Sequence, residues 1–321
     1  MKHWAQNGFK ALTSAWVLAL LATAGWSQSL TWLGTLSGYY SEAHGVSADG
    51  AVVVGRADDA AGYQRAFRWT VDGGMQDLGT LGGSQSWAYA VSADGSVVVG
   101  WAENAAGQVR AFRWTVDGGM QDLGTLGGRS EAYGVSADGA VVVGGAGGRA
   151  FRWTPWSGMQ DLGTLPGGRE SEAYGVSADG AVVVGSAQNA AGQPRAFRWT
   201  ASGGMEDLNL TYVYVLSCSV TPGSVLIAAH AVSSDGRYIV GTGFNAATGR
   251  REAFLLDTQA PFSPNGDVNG DGCVDDIDML GVLFEFGEPV NDFNRCVDVN
   301  RDGIIDDADL LIVLFNFGSG C

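Results

Sequence analysis

The chain has 321 residues, of which 46% are hydrophobic and 16% charged, with 34 acidic against 18 basic side chains and a net charge of −16. So acidic a protein repels a phosphate backbone, which excludes nucleic-acid binding by bulk electrostatics. Fifty glycines point to many turns, bulges and close backbone approaches.

Residues 1–27 read as a secretory signal. Lys2 and Lys10 form a basic start, residues 15–24 an apolar core, and Ala22-Thr-Ala24 offers a small-residue cleavage site, with cutting expected near Ala24 or Ser27. The apolar core is too short to span a bilayer. No later segment is long and apolar enough either, so an extracellular protein without a transmembrane segment is expected, released or held at the cell surface. Both lysines of the sequence lie in this leader, and losing them would take the charge from −16 to −18.

Residues 28–257 are dominated by one repeated stretch. In one copy it runs Ala132-Tyr-Gly-Val-Ser-Ala-Asp-Gly-Ala-Val-Val-Val-Gly144, then Arg149-Ala-Phe-Arg-Trp-Thr154, then Gly158-Met-Gln-Asp-Leu-Gly-Thr-Leu165. The Ser-x-Asp-Gly aspartates are Asp49, Asp94, Asp138, Asp179 and Asp235, at spacings of 45, 44, 41 and 56 residues. Each unit holds four short apolar runs separated by Gly-containing turns, and Asp-Gly between apolar runs is a strong hairpin signal. The Val-Val-Val run suits a strand covered on both faces. In Ala-Phe-Arg-Trp-Thr, Phe and Trp share one face and Arg the other, the period of a half-buried strand.

Four-strand units of this length are the size of propeller blades. Leu30-Thr-Trp-Leu-Gly-Thr-Leu36 matches Asp77-Leu-Gly-Thr-Leu81 but precedes any full unit. Glu252-Ala-Phe-Leu-Leu-Asp257 closes the last unit without such a strand after it. The expected fold is therefore mainly β, a five-bladed β-propeller closed by an N-terminal strand, with an open β-solenoid as the rival. These residues resemble the bacterial extracellular repeat family named for its His-Ala-Phe signature, although Arg65, Arg110, Arg149, Arg195 and Glu252 stand where the name-giving His would be. That resemblance implies secretion and a repeat fold and carries no established reaction.

The first strand of each unit places His44, Tyr89, Tyr133, Tyr174 and His230 in one column, with Glu42, Trp87, Glu131, Glu172 and Ala228 two positions earlier. On a propeller these would ring the channel, with His44 and His230 as neighbours across the closing seam. Such a ring of aromatics and carboxylates could hold a sugar or a cation, or only pack between blades. The segments between second and third strands (residues 56–64, 101–109, 145–148, 186–194 and 242–250) vary most and are candidate binding loops or solvated spacers. Residues 211–229 read as an insertion forming an extra hairpin.

A linker at 258–266 leads to an acidic C-terminal domain at 267–321. Residues 265–321 hold thirteen acids and two bases, a density that needs bound cations. Asp267, Asn269, Asp271, Cys273, Asp275 and Asp278 occupy positions 1, 3, 5, 7, 9 and 12 of a calcium loop, with Gly272 at the sharp turn and the Cys273 carbonyl as the position-7 ligand. Asp298, Asn300, Asp302, Ile304, Asp306 and Asp309 repeat the pattern 31 residues later, with Gly303. An apolar helical run follows each loop, so two calcium ions are expected. Asp at position 12, the duplication and the C-terminal placement resemble a type I dockerin, which implies calcium-dependent folding and docking to a cohesin. Where dockerins carry hydroxyl residues for that contact, this chain has Asp276-Ile277 and Asp307-Ala308.

Cys218, Cys273, Cys296 and Cys321 make an even set in an exported chain, so disulfides are expected, one of them inside the C-terminal domain. No nucleophile elbow, phosphate loop or zinc signature occurs. The acids that recur in every unit read as structural, so no catalytic residue is assigned. The expected function is a secreted non-enzymatic binding or display scaffold with a calcium-dependent docking module, its partners a cohesin-like or surface protein and a glycan. The alternative is a glycoside hydrolase on a five-bladed propeller, which would need carboxylates in unlike environments in one cleft.

Overall fold

The computed structural model describes residues 29–212, 216, 223–259, 266–269, 273–291 and 294–321. The expected signal segment, most of the linker, Cys218, Asp271 and Gly272 lie outside the described residues. The chain divides into two compact units, residues 1–34 and 35–321.

In the second unit five antiparallel sheets follow one another, each a meander in sequence order. The first holds β1 (Ser37–Val46), β2 (Val52–Asp59), β3 (Gln64–Thr70) and β4 (Gly74–Asp77). The second holds β5 (Gly82–Val91), β6 (Val97–Asn104), β7 (Val109–Thr115) and β8 (Gly119–Asp122). The third has β9 (Ser130–Val135), β10 (Val142–Ala146), β11 (Arg149–Thr154) and β12 (Gly158–Asp161). The fourth has β13 (Ser171–Val176), β14 (Val182–Gln188), β15 (Pro194–Thr200) and β16 (Gly204–Asp207). A four-residue helix, α1 (Leu208–Thr211), precedes the fifth sheet, which has three strands: β17 (Val225–Val232), β18 (Tyr238–Asn245) and β19 (Arg250–Asp257).

The repeated residues explain the repeated sheet. At each Ser-x-Asp-Gly turn the Ser hydroxyl donates to the Asp carboxylate and accepts the amide five residues on. In the third sheet Ser136 Oγ donates to Asp138 Oδ1 at 2.6 Å and accepts from Val141 N at 2.9 Å. Asp138 Oδ1 also accepts from Ala140 N at 3.0 Å, and these bonds, that from Ser136 first, hold its carboxyl below the usual carboxylate range. Gly139, at φ +70°, supplies the left-handed step of the turn. In the register of the middle strands each buried Phe faces a Gly, as Gly144 faces Phe151. A Cβ on Gly144 would overlap the Glu131 carbonyl and lie 2.8 Å from Phe151 Cε1, so the position admits only Gly.

Sheets bind their neighbours by four recurring devices. The valine run has apolar cover on both sides: Val97 and Val99 pack with Ala132, Val142 and Phe151 of the next sheet, and Val98 with Val54 of the previous one. The turns form a backbone ladder, Ala48 N to Ala93 O, Ala93 N to Ala137 O, Ala137 N to Ala178 O (3.0 Å each) and Ala178 N to Ser234 O (3.1 Å). Arg68 Nε and Arg113 Nε each reach the turn carbonyl of the following sheet, Gly95 and Gly139, at 3.3 Å. Finally, Ser130 Oγ, fully buried, accepts from Ala111 N at 3.0 Å and donates to Gly124 O at 2.7 Å, and Ser86 and Ser171 repeat this bridge. Ser130→Ala would leave a buried amide without its acceptor. It is expected to cost about 1–3 kcal/mol of stability, read from the urea midpoint.

Among the described residues the five sheets are not closed into a ring. β1 packs on β5, β5 on β9, β9 on β13 and β13 on β17, with no comparable packing of β17 on β1. Residues 29–35 form no strand, and Leu30 and Trp32 are 79% and 88% exposed. Two smaller expectations also change. β17 begins at Val225, so the second arm of the expected insertion hairpin is the first strand of the fifth sheet, and residues 213–215 and 217–222 lie outside the described residues. The expected binding loops shrink to short turns, because β2, β6, β14 and β18 extend well into them.

The C-terminal part contains α2 (Asp276–Phe284) and α3 (Asp307–Asn316) around a core of Val274, Val282, Val297, Val299, Ile305 and Val313. Cys273 and Cys321 form the expected internal disulfide, spanning 48 residues, and Cys296 is also disulfide-bonded. The strand of backbone beside the bridge pairs too, Val274 N to Ser319 O at 3.0 Å and Gly318 N to Val274 O at 2.7 Å.

Candidate functional site

The column named from the sequence becomes a physical row. Ring centroids are 5.7 Å apart from His44 to Tyr89, 5.6 Å from Tyr89 to Tyr133, 5.9 Å from Tyr133 to Tyr174 and 5.6 Å from Tyr174 to His230. The packing of first strands on one another produces this spacing, one ring per sheet. The histidines do not meet. They stand at opposite ends of the row, and among the described residues no ring contact joins them. His44 Nδ1 lies 2.8 Å from Ala88 O, and His230 Nε2 lies 3.1 Å from Thr242 Oγ1.

Carboxylates line the row from the position two residues earlier. Tyr133 and Tyr174 both donate to Glu172, at 3.0 and 2.9 Å. Burial, and the Glu172 charge after it, push both hydroxyls far above the ordinary phenol range, so they stay protonated donors at neutral pH. Glu131 pairs with Arg129. A cavity of about 580 Å³ opens here between the third and fourth sheets, lined by Arg129, Glu131, Tyr133, Glu172 and Tyr174 among others. That volume is ordinary for a small-ligand site. Towards His44 the row meets an aromatic cluster: Arg56 lies 3.9 Å above the Trp87 ring, and Trp87 stands 5.4 Å from Trp101. Arg56 also donates twice to Glu42, at 3.0 and 2.7 Å, and holds its carboxyl below the usual range. Arg56 and Trp101 open two of the variable segments named as candidate binding loops, where the strand instead carries them into this cluster, whereas Arg129 was not singled out because its position differs in every unit.

In the C-terminal loops the last ligand position has a second task. Asp278 accepts from Val268 N (2.7 Å), Asn269 N (3.0 Å) and Asp275 N (2.9 Å), and Asp309 accepts from Asn300 N (2.9 Å) and Asp306 N (3.0 Å). Each is thus the inner partner of a capping box, with Asp275 and Asp306 as the N-caps of α2 and α3. Asp298 accepts from Asp302 N and Gly303 N, both at 3.1 Å, and Asn300 Oδ1 accepts from Asp302 N at 2.9 Å. Asp267 and Asn269 lie in the first loop, where Asp271 is outside the described residues.

Among the described residues no group of three or more His, Cys, Asp or Glu side chains is drawn to metal-ligand spacing. The donor set nevertheless fits calcium. It is made of hard oxygens only, and Asp298 is 98% buried, with burial first and then the charges of Asp309 and Asp302 raising its pKa. A buried carboxylate beside two others is stabilised by a hard cation. Asp298, Asn300, Asp302 and the Ile304 carbonyl would hold it in the second loop.

Comparison with known proteins bears on this module directly. Residues 265–314 match the dockerin type I domain. This supports a C-terminal dockerin module. Its two helices present matched apolar residues to solvent, Leu280, Leu283 and Phe284 on α2 and Leu311, Leu314 and Phe315 on α3, the two phenylalanines being 81% and 84% exposed. No curated protein matches the chain. Solved structures that resemble it include a TolB-type protein from Agrobacterium tumefaciens (17% identity, TM-score 0.46, 68% of this chain and 77% of that one). TolB from Acinetobacter baumannii is another (16%, 0.40, 54% and 43%), as is dipeptidyl peptidase 4 from Porphyromonas gingivalis (8%, 0.44, 70% and 38%). Among the described residues, no helix is long and apolar enough to cross a membrane.

Proposed function

We propose that this is a secreted, non-enzymatic repeat protein of the His-Ala-Phe type. Its dockerin module, loaded with two calcium ions, docks it to a cohesin-like or surface protein, and its repeat domain binds a glycan. The observation that carries the docking half is the duplicated loop and helix, with an acidic ligand set on each loop and a matched exposed apolar face on each helix. The glycan half is supported by the aromatic row beside a cavity of about 580 Å³. Aromatic faces and fixed carboxylates are the groups that sugars meet in binding sites.

The non-enzymatic reading is supported by where the acids sit. The five turn aspartates are held by serine hydroxyls, and Glu42 and Glu172 are held by Arg56 and by two tyrosines. The full chain, used as bait on a native secretome and envelope extract, is expected to retain one partner in calcium and to release it in chelator. Retention that ignores chelator would sink the docking reading. The glycoside hydrolase alternative keeps one supporting feature, the presence of Glu131 and Glu172 in a single cavity. Polysaccharide hydrolysis that disappears in Glu172→Gln would establish it.

A further inference from the structure

We propose that copies of this chain join head to tail, with the fifth sheet of one copy covered by the first sheet of the next. In this joint the Leu30-Thr-Trp-Leu-Gly-Thr-Leu36 segment of the second copy would supply the missing fourth strand beside β19.

The two ends of the array carry complementary halves of the interface that the four internal joints repeat. At an internal joint the trailing side of one sheet is buried: Val54, Val99, Val143 and Val184 are all fully covered. Their counterpart in the fifth sheet, Val240, is 41% exposed. Leu255 stands where Arg68, Arg113, Arg152 and Arg198 stand in the other sheets, and it is 69% exposed. An apolar side chain has replaced the residue that spans to the next sheet. At the leading end the opposite holds. The turn glycines Gly95, Gly139, Gly180 and Gly236 each sit against a valine of the preceding sheet, whereas nothing lies within 4 Å of a Cβ built on Gly50. The turn ladder also has two loose ends, the Ser234 N–H at one terminus of the array and the Ala48 carbonyl at the other, and among the described residues no rung continues from Ser234.

The occupant follows from the repeat rule. In the first four sheets the Ala-Phe strand is paired by a Met-Gln-Asp-Leu or Met-Glu-Asp-Leu strand, and among the described residues β19 has none. Residues 30–36 are the spare copy of that strand, and they run into β1 as residues 75–81 run into β5. Pairing across copies adds a strand to an open edge in a register set by the repeat. It is a heterologous contact, so it generates chains or larger rings rather than a two-fold dimer.

Sedimentation velocity on the full chain over a range of concentrations tests this. The expected result is mass increasing with concentration, with Val240→Arg weakening the association at least tenfold while circular dichroism stays that of the native chain. A cross-link fixes the register. Arg68 pairs with Gln76, so Leu255 should face Thr31 of the next copy. Mixing Leu255→Cys protein with Thr31→Cys protein should give a disulfide-linked pair of chains. A monomer at every concentration would overturn the proposal, as would association that Val240→Arg leaves unchanged. A Thr31→Cys, Leu255→Cys double variant that bridges only within one chain would also overturn it, and would show the array closing on itself.

Discussion

Gly144→Ala is expected to destabilise the repeat domain by about 3 kcal/mol or more, the upper range for forcing atoms into a packed site. The added methyl meets the Glu131 carbonyl, which is backbone fixed in β9, and the Phe151 ring, which is fully buried. Neither can turn aside without breaking a sheet. Gly107→Ala is the control. Gly107 has positive φ, +71°, which Gly144 does not, but nothing lies within 4 Å of a Cβ built there. That change should cost only the backbone penalty of about 1–2 kcal/mol. Hydrogen exchange would locate the damage, with protection lost first in β9, β10 and β11. Equal effects of the two substitutions would show that the Gly–Phe pair is not what forces glycine.

Removing calcium is expected to cost the dockerin module most of its stability while leaving the repeat sheets folded. A ligand present at about 1,000-fold over its Kd contributes roughly 4 kcal/mol per site, as much as a small core can supply. The measurement is helical circular dichroism against temperature, in calcium and in chelator. Asp298→Asn sharpens it. The substitution removes a ligand, so the calcium-induced rise in melting temperature should shrink. It also removes a buried carboxylate whose neighbours are Asp302 and Asp309, which offsets the loss of one of its two backbone hydrogen bonds, so the chelated form should change far less than the calcium-bound form. A variant that loses stability equally with and without calcium would show Asp298 acting as a packing residue alone.

Much of this architecture could be read from local chemistry. The Ser-x-Asp-Gly turns, the doubly covered valine runs and the Phe and Trp alternation depend on contacts within a few residues, and they recur often enough to outweigh any single departure. The aromatic column was visible because strand period and repeat period together place one residue per sheet. What was hidden depends on the relation between sheets. Nothing local in residues 30–36 tells whether the five sheets close, because the match is one of sequence alone. The Ser130 bridge was equally silent, since its partners Ala111 and Gly124 lie in the preceding unit. In the C-terminal module the ligand pattern marked Asp278 and Asp309, but their capping-box role appears only once α2 and α3 are placed. α1 escaped notice because four residues show no periodicity.

The turn ladder has a further consequence, for how such a gene can grow and shrink. Each Ser-Ala-Asp-Gly turn offers the same donor to the sheet after it and the same acceptor to the sheet before it. Recombination between two adjacent copies of that motif therefore deletes or duplicates one whole sheet with its bridges, its arginine and its ring residue, and leaves every remaining joint of a kind the protein already contains. The length of the aromatic row, and with it the span of ligand it could follow, is thus heritable in steps of one unit.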